Sequence, residues 1–184
     1  GCSALTSVII PDTVKYIGEG AFCNCYSLTS INIPEGVTAI KDYAFYSCES
    51  LTSIDIPNSV TYIGKRAFEK CFRLKNVTMS ERVTSIGECA FLQCQTLEST
   101  TIPDCVVSIE TAAFVMCSSL TSINIPASVT FIGDGAFAMC YSLTSINVDE
   151  NNTVYKSIDG SLYTKDGKTL MQYASEKLDD EFTV

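Results

Sequence analysis

Ten cysteines in a chain of 184 residues are the side chains best placed to do chemistry, as disulfide partners, metal ligands or nucleophiles. Their spacing decides among these roles. Cys2, Cys25, Cys48, Cys71, Cys94, Cys117 and Cys140 recur every 23 residues, so their phase says more than their number. A nucleophilic Cys–His pair is excluded because the chain has no histidine. Zinc fits poorly, since neither Cys23 with Cys25 nor Cys89 with Cys94 has a second matching pair. Two polar loops, Asp149-Glu150-Asn151-Asn152-Thr153-Val154 and Thr164-Lys165-Asp166-Gly167-Lys168-Thr169, invite a calcium or phosphate reading. The first breaks the calcium-loop pattern at Thr153 and the second lacks phosphate-loop glycines, so both read as turns. Asp179, Asp180 and Glu181 lie in a polar tail with no pocket implied around them. No catalytic residue, cofactor site or metal site is assigned.

The period that places the cysteines also places everything around them. Phe22, Phe45, Phe68, Phe91, Phe114 and Phe137 keep the same 23-residue step, as do Leu28 to Leu143, Ile17 to Ile132 and Val14 to Val129. Six near-copies of one unit mean a solenoid, in which each unit buries its apolar positions only by stacking on its neighbours. Within a unit, Leu28, Ile31 and Ile33 alternate as the inward side of a short strand, so Ser30 and Asn32 point out. Pro11, Pro34, Pro57, Pro103 and Pro126 end these strands. A second extended piece, V-x-x-I, follows, with Gly18, Gly64, Gly87 and Gly133 supplying a turn. The closing A-F-x-x-C stretch has helical spacing and room for about one turn of helix. One broad sheet face is expected on the first strand of each unit.

The ladder cysteines should be reduced, buried thiols, because in-register side chains point the same way and bridge poorly. Cys23, Cys89 and Cys105 lie off the ladder at variable positions and are expected to be exposed. The chain is 46% hydrophobic but has no run long enough to span a bilayer. Its net charge of −9 argues against non-specific binding to nucleic acid.

The unit Leu51-Thr52-Ser53-Ile54-Asp55-Ile56-Pro57-Asn58-Ser59-Val60-Thr61-Tyr62-Ile63-Gly64-Lys65-Arg66-Ala67-Phe68-Glu69-Lys70-Cys71 and its sister copies resemble the BspA-like leucine-rich repeat proteins. The resemblance implies a leucine-rich-repeat solenoid of short parallel strands and short helical turns over residues 1–150. It also implies a cell-surface or secreted protein that binds a protein partner, a host matrix protein or another cell, and supplies no catalytic residues. The rival reading is a structural spacer that binds nothing itself. Residues 151–184 read as a β-hairpin segment around Asp159-Gly160 and Asp166-Gly167, like the insert of that family, followed by the start of another repeat. The abrupt start at Gly1 and stop at Val184 suggest a piece of a longer array, with frayed or self-associating ends.

Candidate partner-binding residues fall into two sets. The strand face carries Asn32, Asp55, Asn76, Thr78, Thr101, Asn124 and Asn147 among its outward small polar side chains. Aromatic residues occupy two variable phases, Tyr26, Phe72 and Tyr141 in one and Tyr16, Tyr62 and Phe131 in the other. Both phases are expected to reach solvent, and several aromatics in one file could form a binding stripe.

Overall fold

The computed structural model describes residues 1–174, and the readings of the acidic tail and of a repeat restarting near Val184 lie outside them. The chain winds as a solenoid in which equivalent residues 23 apart are hydrogen-bonded neighbours. The V-x-x-I pieces form its longest sheet, six parallel strands in the order β1 (Tyr16–Ile17), β2 (Ala39–Ile40), β4 (Tyr62–Ile63), β6 (Ser85–Ile86), β8 (Ser108–Ile109) and β10 (Phe131–Ile132). The Leu-x-x-Ile-x-Ile pieces give two shorter ladders: β3 (Ser53–Asp55), β5 (Asn76–Thr78) and β7 (Ser99–Thr100), then β9 (Ser122–Ile125) with β11 (Ser145–Val148). The continuous sheet is thus on the second strand of the unit, whereas the sequence pointed to the first. Thr100 holds an inward phase that is Ile31, Ile54, Ile123 or Ile146 in other coils, and its buried hydroxyl has no partner.

The expected helical turn is absent; no described residue is helical. Two residues per coil flank the A-F-x stretch in the left-handed region, for example Tyr43 (φ 56) and Ser47 (φ 55), then Arg66 (φ 54) and Lys70 (φ 62). A helix cannot continue through such residues. The freed amides bond to the next coil instead: Tyr43 N donates to Lys65 O at 2.9 Å, Phe45 N to Ala67 O at 2.8 Å and Ser47 N to Glu69 O at 2.8 Å. Alternate amides close tight turns within the coil, as Tyr46 N does to Tyr43 O at 3.0 Å. This third face is therefore laced by inter-coil backbone bonds, and each coil satisfies its own polar groups only with a neighbour present.

The interior is a set of one-residue ladders. Phe45, Phe68 and Phe91 stack nearly parallel with centroids 5.2 Å apart, and the stack extends to Phe22 at one end and Phe137 at the other. That offset geometry is favourable for aromatic pairs. Gly64, Gly87 and Gly133 serve close approach and not a left-handed turn. A Cβ on Gly133 would lie 2.3 Å from the Thr111 nitrogen of the preceding coil, whereas one on Gly18 would meet nothing within 4 Å.

After β11 three more positions keep the phase. Asp149 stands 23 residues after Pro126, Asn152 after Val129 and Tyr155 after Ile132. Asn152 is fully buried and makes four hydrogen bonds: its amide donates to Pro126 O and Val129 O, and its Oδ1 accepts from Val154 N and Tyr155 N. The phenol of Tyr155 accepts the Ile132 amide at 2.9 Å. Beyond it the hairpin is an antiparallel sheet of three strands, β12 (Tyr155–Ile158), β13 (Ser161–Thr164) and β14 (Leu170–Gln172). Asp159 (φ 48) and Gly160 (φ 73) make the two-residue turn that an Asp-Gly pair favours. Gly160 O receives the Ile146 amide at 2.7 Å, which docks the sheet on the last ladder strand.

Candidate functional site

The cysteine ladder is structural. Each Sγ from Cys48 to Cys140 donates to the carbonyl of the phenylalanine 26 residues earlier, as Cys71 does to Phe45 O at 3.3 Å. All ten cysteines are free thiols. Burial pushes the Cys48 thiol up to about 12 and raises Cys71, Cys94 and Cys117 as well, so these groups stay protonated and unreactive near neutrality. Cys2 is exposed, not buried as its phase implied, because no ladder neighbour covers the outer side of the first coil. Of the three off-ladder thiols, Cys105 is exposed and Cys23 half-buried, while Cys89 is buried against expectation. Tyr43 and Arg66 hold the same phase as Cys89, and a short side chain there does not project past the neighbouring Arg66, Glu88 and Glu69.

Among the described residues no three His, Cys, Asp or Glu side chains come together as metal ligands. The loops at 149–154 and 164–169 are turns closed by their own carboxylates. Asp149 Oδ1 accepts the Asn151 amide at 2.8 Å. Asp166 Oδ1 accepts the Lys168 amide at 3.0 Å and the Thr164 hydroxyl at 2.7 Å, bonds that hold its carboxyl below the usual range. No helix of the described residues is long and apolar enough to cross a membrane.

The strand face is where the fold gathers candidate residues. Asn32, Asp55, Thr78, Thr101, Asn124 and Asn147 form one exposed file, and Asn76 lies on the neighbouring file of the same face. Two open hollows of about 320 and 330 Å³ follow this file. The first is lined by Asn32, Asp55 and Thr78 and rimmed by Glu35 and Glu81; the second is lined by Thr101, Asn124 and Asn147 and rimmed by Asp104 and Asp149. Apart from Asp149, which holds the proline phase, the rim belongs to one file, the positions reached by steps of 23 from Asp12, which holds Asp12, Glu35, Asn58, Glu81, Asp104, Ala127 and Glu150. The floor is partly braced, since Asn147 Nδ2 donates to Asn124 Oδ1 and the Glu81 amide to Asn58 Oδ1, each at 3.0 Å. Nothing in the sequence reading had singled out the acidic rim, although counting by 23 from Asp12 finds it.

The aromatic files are less coherent. Tyr26 and Tyr141 are exposed and Phe72 is half-buried, but Phe72 lies two coils from Tyr26 and three from Tyr141, with Glu49, Gln95 and Ser118 between. Two coil spacings are about 9.6 Å, so this file is no continuous stripe. Tyr16, Tyr62 and Phe131 are exposed on the six-stranded sheet, where Ala39 separates the first two and Ser85 and Ser108 the last two. Tyr16 and Tyr62 share one open notch; Phe131 stands apart.

The BspA type leucine rich repeat region family matches in six copies, over residues 1–95 and 39–158. A leucine rich cell surface protein from Faecalibacterium prausnitzii is 33% identical, with a TM-score of 0.72 over 98% of this chain and 57% of that one. A leucine-rich repeat protein from Eubacterium ventriosum is 30% identical, with a TM-score of 0.77 over 94% of this chain and 45% of that one. The pneumococcal vaccine antigen PcpA is 28% identical, with a TM-score of 0.61 over 96% of this chain and 38% of its own. The chain thus spans between 38% and 57% of the length of these three structures. No curated protein matches it.

Proposed function

The chain belongs to the BspA type leucine-rich repeat family, and on that premise we propose that it is a protein-interaction segment of a cell-surface protein, acting in adhesion to a host matrix protein or another cell. The observation that carries this reading is the strand-face groove. Six candidate side chains, one from each of six coils, line it under a rim of carboxylates, and none of them serves the core. An outward residue every 4.8 Å or so offers an extended polypeptide one hydrogen-bonding site per coil. The rim and the net charge of −9 select a basic segment and speed its approach. Surface location is supported by the Faecalibacterium relative, which is described as a cell surface protein. The closed ladders and stacked rings serve as a rigid backing, and no catalytic role is assigned.

The test is binding of the purified protein to a panel of immobilised host matrix proteins at low and physiological salt. Asp55→Arg and Glu81→Arg are exposed and leave the core untouched. Saturable binding that both substitutions weaken, and that Tyr26→Ala with Phe72→Ala and Tyr141→Ala leaves unchanged, supports the groove. No binding to any member at micromolar concentration would instead favour the spacer.

A further inference from the structure

We propose that each of the two strand-face hollows takes one turn of a proline-rich segment in the polyproline II conformation, whose residues i and i+3 are Lys or Arg. This inference rests on the groove reading above and names the class of partner for it. The two hollows repeat one pattern. Along the rim file the first runs Glu35, Asn58, Glu81, and the second runs Asp104, Ala127, Glu150, with Asp149 lining its far end. Each therefore has carboxylates two coils apart on one side, with a neutral residue between them. The other side is the polar file, Asn32 to Thr78 in the first hollow and Thr101 to Asn147 in the second. Between the two sides the lining is apolar, with Ile56, Pro57 and Met79 in the first and Ile102, Ile125 and Pro126 in the second.

The backbone step of the solenoid separates one kind of segment from another. One coil advances about 4.8 Å between hydrogen-bonded strands, and the stacked rings repeat at 5.2 Å. Two coils are therefore about 10 Å. Three residues of polyproline II complete one turn and rise about 9.3 Å, so residues i and i+3 point the same way at nearly the step that separates the two acids. Same-side residues of a β-strand repeat at about 6.6 and 13.2 Å and miss that step. An α-helix comes near it with residues i and i+7, at about 10.5 Å, but its carbonyls are already bonded within the helix.

Hydrogen bonding and charge point the same way. A polyproline II backbone has no internal hydrogen bonds, so its carbonyls are free to accept. Asn32, Thr78 and Thr101 are exposed and carry no side-chain hydrogen bond among the described residues, and Asn124 accepts from Asn147 while keeping its own amide hydrogens. Proline brings no N–H, so a proline-rich guest strands no donor over the apolar lining. Glu35, Glu81, Asp104 and Asp149 form no ion pair among the described residues, which leaves them for cations of the guest. Arg82 follows Glu81 in the chain but does not line the hollow. Asp55 adds a third carboxylate to the first hollow and has no counterpart in the second, so the first is the tighter of the two.

The experiment is a proton–nitrogen NMR titration of the whole protein, at low and physiological salt, with a capped peptide carrying one Lys-Pro-Pro-Lys core. Peptides with Lys-Lys-Pro-Pro, Glu-Pro-Pro-Glu and Lys-Val-Thr-Lys cores are the controls. The Lys-Pro-Pro-Lys peptide is expected to shift amides around both hollows, with a Kd in the millimolar range or tighter and about threefold or more below that of Lys-Lys-Pro-Pro. Salt should weaken it, and Glu-Pro-Pro-Glu should not bind. Glu81→Gln should weaken the first hollow about three- to fivefold and leave the second unchanged, and Asp104→Asn should do the reverse, so the untouched hollow reports an intact fold in each variant. Absence of shifts at about 10 mM peptide, equal binding of Lys-Lys-Pro-Pro, tighter binding of Lys-Val-Thr-Lys, or shifts confined to the six-stranded sheet would overturn the proposal. The groove reading would survive that failure where a matrix protein still binds and Asp55→Arg and Glu81→Arg weaken it. Matrix binding indifferent to both substitutions would overturn the groove reading and this inference together.

Discussion

Truncating Phe68 tests how far the stacked phenylalanines hold the solenoid together. Phe68 is fully buried and faces Phe45 and Phe91, each at 5.2 Å with interplanar angles of 4° and 7°. Phe22 is half-buried and touches one ring, Phe45, at 5.3 Å. Phe68→Ala loses a whole core side chain, about 3 to 5 kcal/mol, together with two stacked pairs of about 0.5 to 1.5 kcal/mol each beyond burial. The expected cost is about 5 kcal/mol. Phe22→Ala loses one pair and a part-exposed ring, about 2 to 3 kcal/mol. Phe68→Leu keeps most of the volume and loses the stacking, about 1 to 3 kcal/mol. The assay is urea unfolding followed by far-ultraviolet circular dichroism, because the chain has no tryptophan. A double-mutant cycle should give about 1 kcal/mol of coupling for Phe45 with Phe68 and none beyond about 0.5 kcal/mol for Phe22 with Phe68. Equal costs at Phe22 and Phe68, or equal coupling for touching and non-touching rings, would refute nearest-neighbour stabilisation of the coils.

Three other outcomes are expected. Gly133→Ala should destabilise by about 2 to 3 kcal/mol in the same assay, because its Cβ would sit 2.3 Å from the Thr111 nitrogen, while Gly18→Ala should be neutral within about 0.5 kcal/mol. Asn152→Val restores the apolar residue of that phase, yet it should cost about 3 kcal/mol or more by stranding the Val154 and Tyr155 amides and two carbonyls, and a gain in melting temperature would contradict this. The ladder thiols make the fold alkali-sensitive. An unfolded Cys48 loses its proton from about pH 9 while the folded one holds it to about 12, so its contribution is complete below pH 9 and is lost as the pH rises towards 12. At pH 10 Cys48 alone should remove about 1.4 kcal/mol, measurable as a fall in urea midpoint that Cys48→Ala makes shallower.

The sequence disclosed what repeats and concealed what is shared between coils. Phe22 to Phe137, Leu28 to Leu143 and the ladder cysteines are apolar at a fixed step, and a fixed step has one packing solution, so the solenoid and its core were legible. The left-handed residues were not. Tyr43, Ser47, Arg66, Lys70, Gln93 and Met116 are not types that favour φ above zero, and their conformation is imposed by amides bonding the next coil. Cys89 misled because exposure there depends on the length of its neighbours' side chains, which a single unit does not show. Asn152 and Tyr155 hid behind a change of residue type, although their phase is intact. Of the candidate binding residues, the polar file follows directly from strand alternation. Tyr16 and Tyr62 share a notch because their strands lie two apart in one register, whereas Phe131 lies three strands beyond Tyr62.

The most direct test of the binding role is an amide hydrogen-exchange footprint of the whole protein, free and in complex with the matrix protein that it holds most tightly in the panel. Protection is expected along Asn32, Asp55, Thr78, Thr101, Asn124 and Asn147 and their rim at Glu35, Glu81 and Asp104, with the six-stranded sheet unchanged. Protection confined to the six-stranded sheet or to the Tyr26, Phe72 and Tyr141 positions, with the strand face unaltered, would contradict the account.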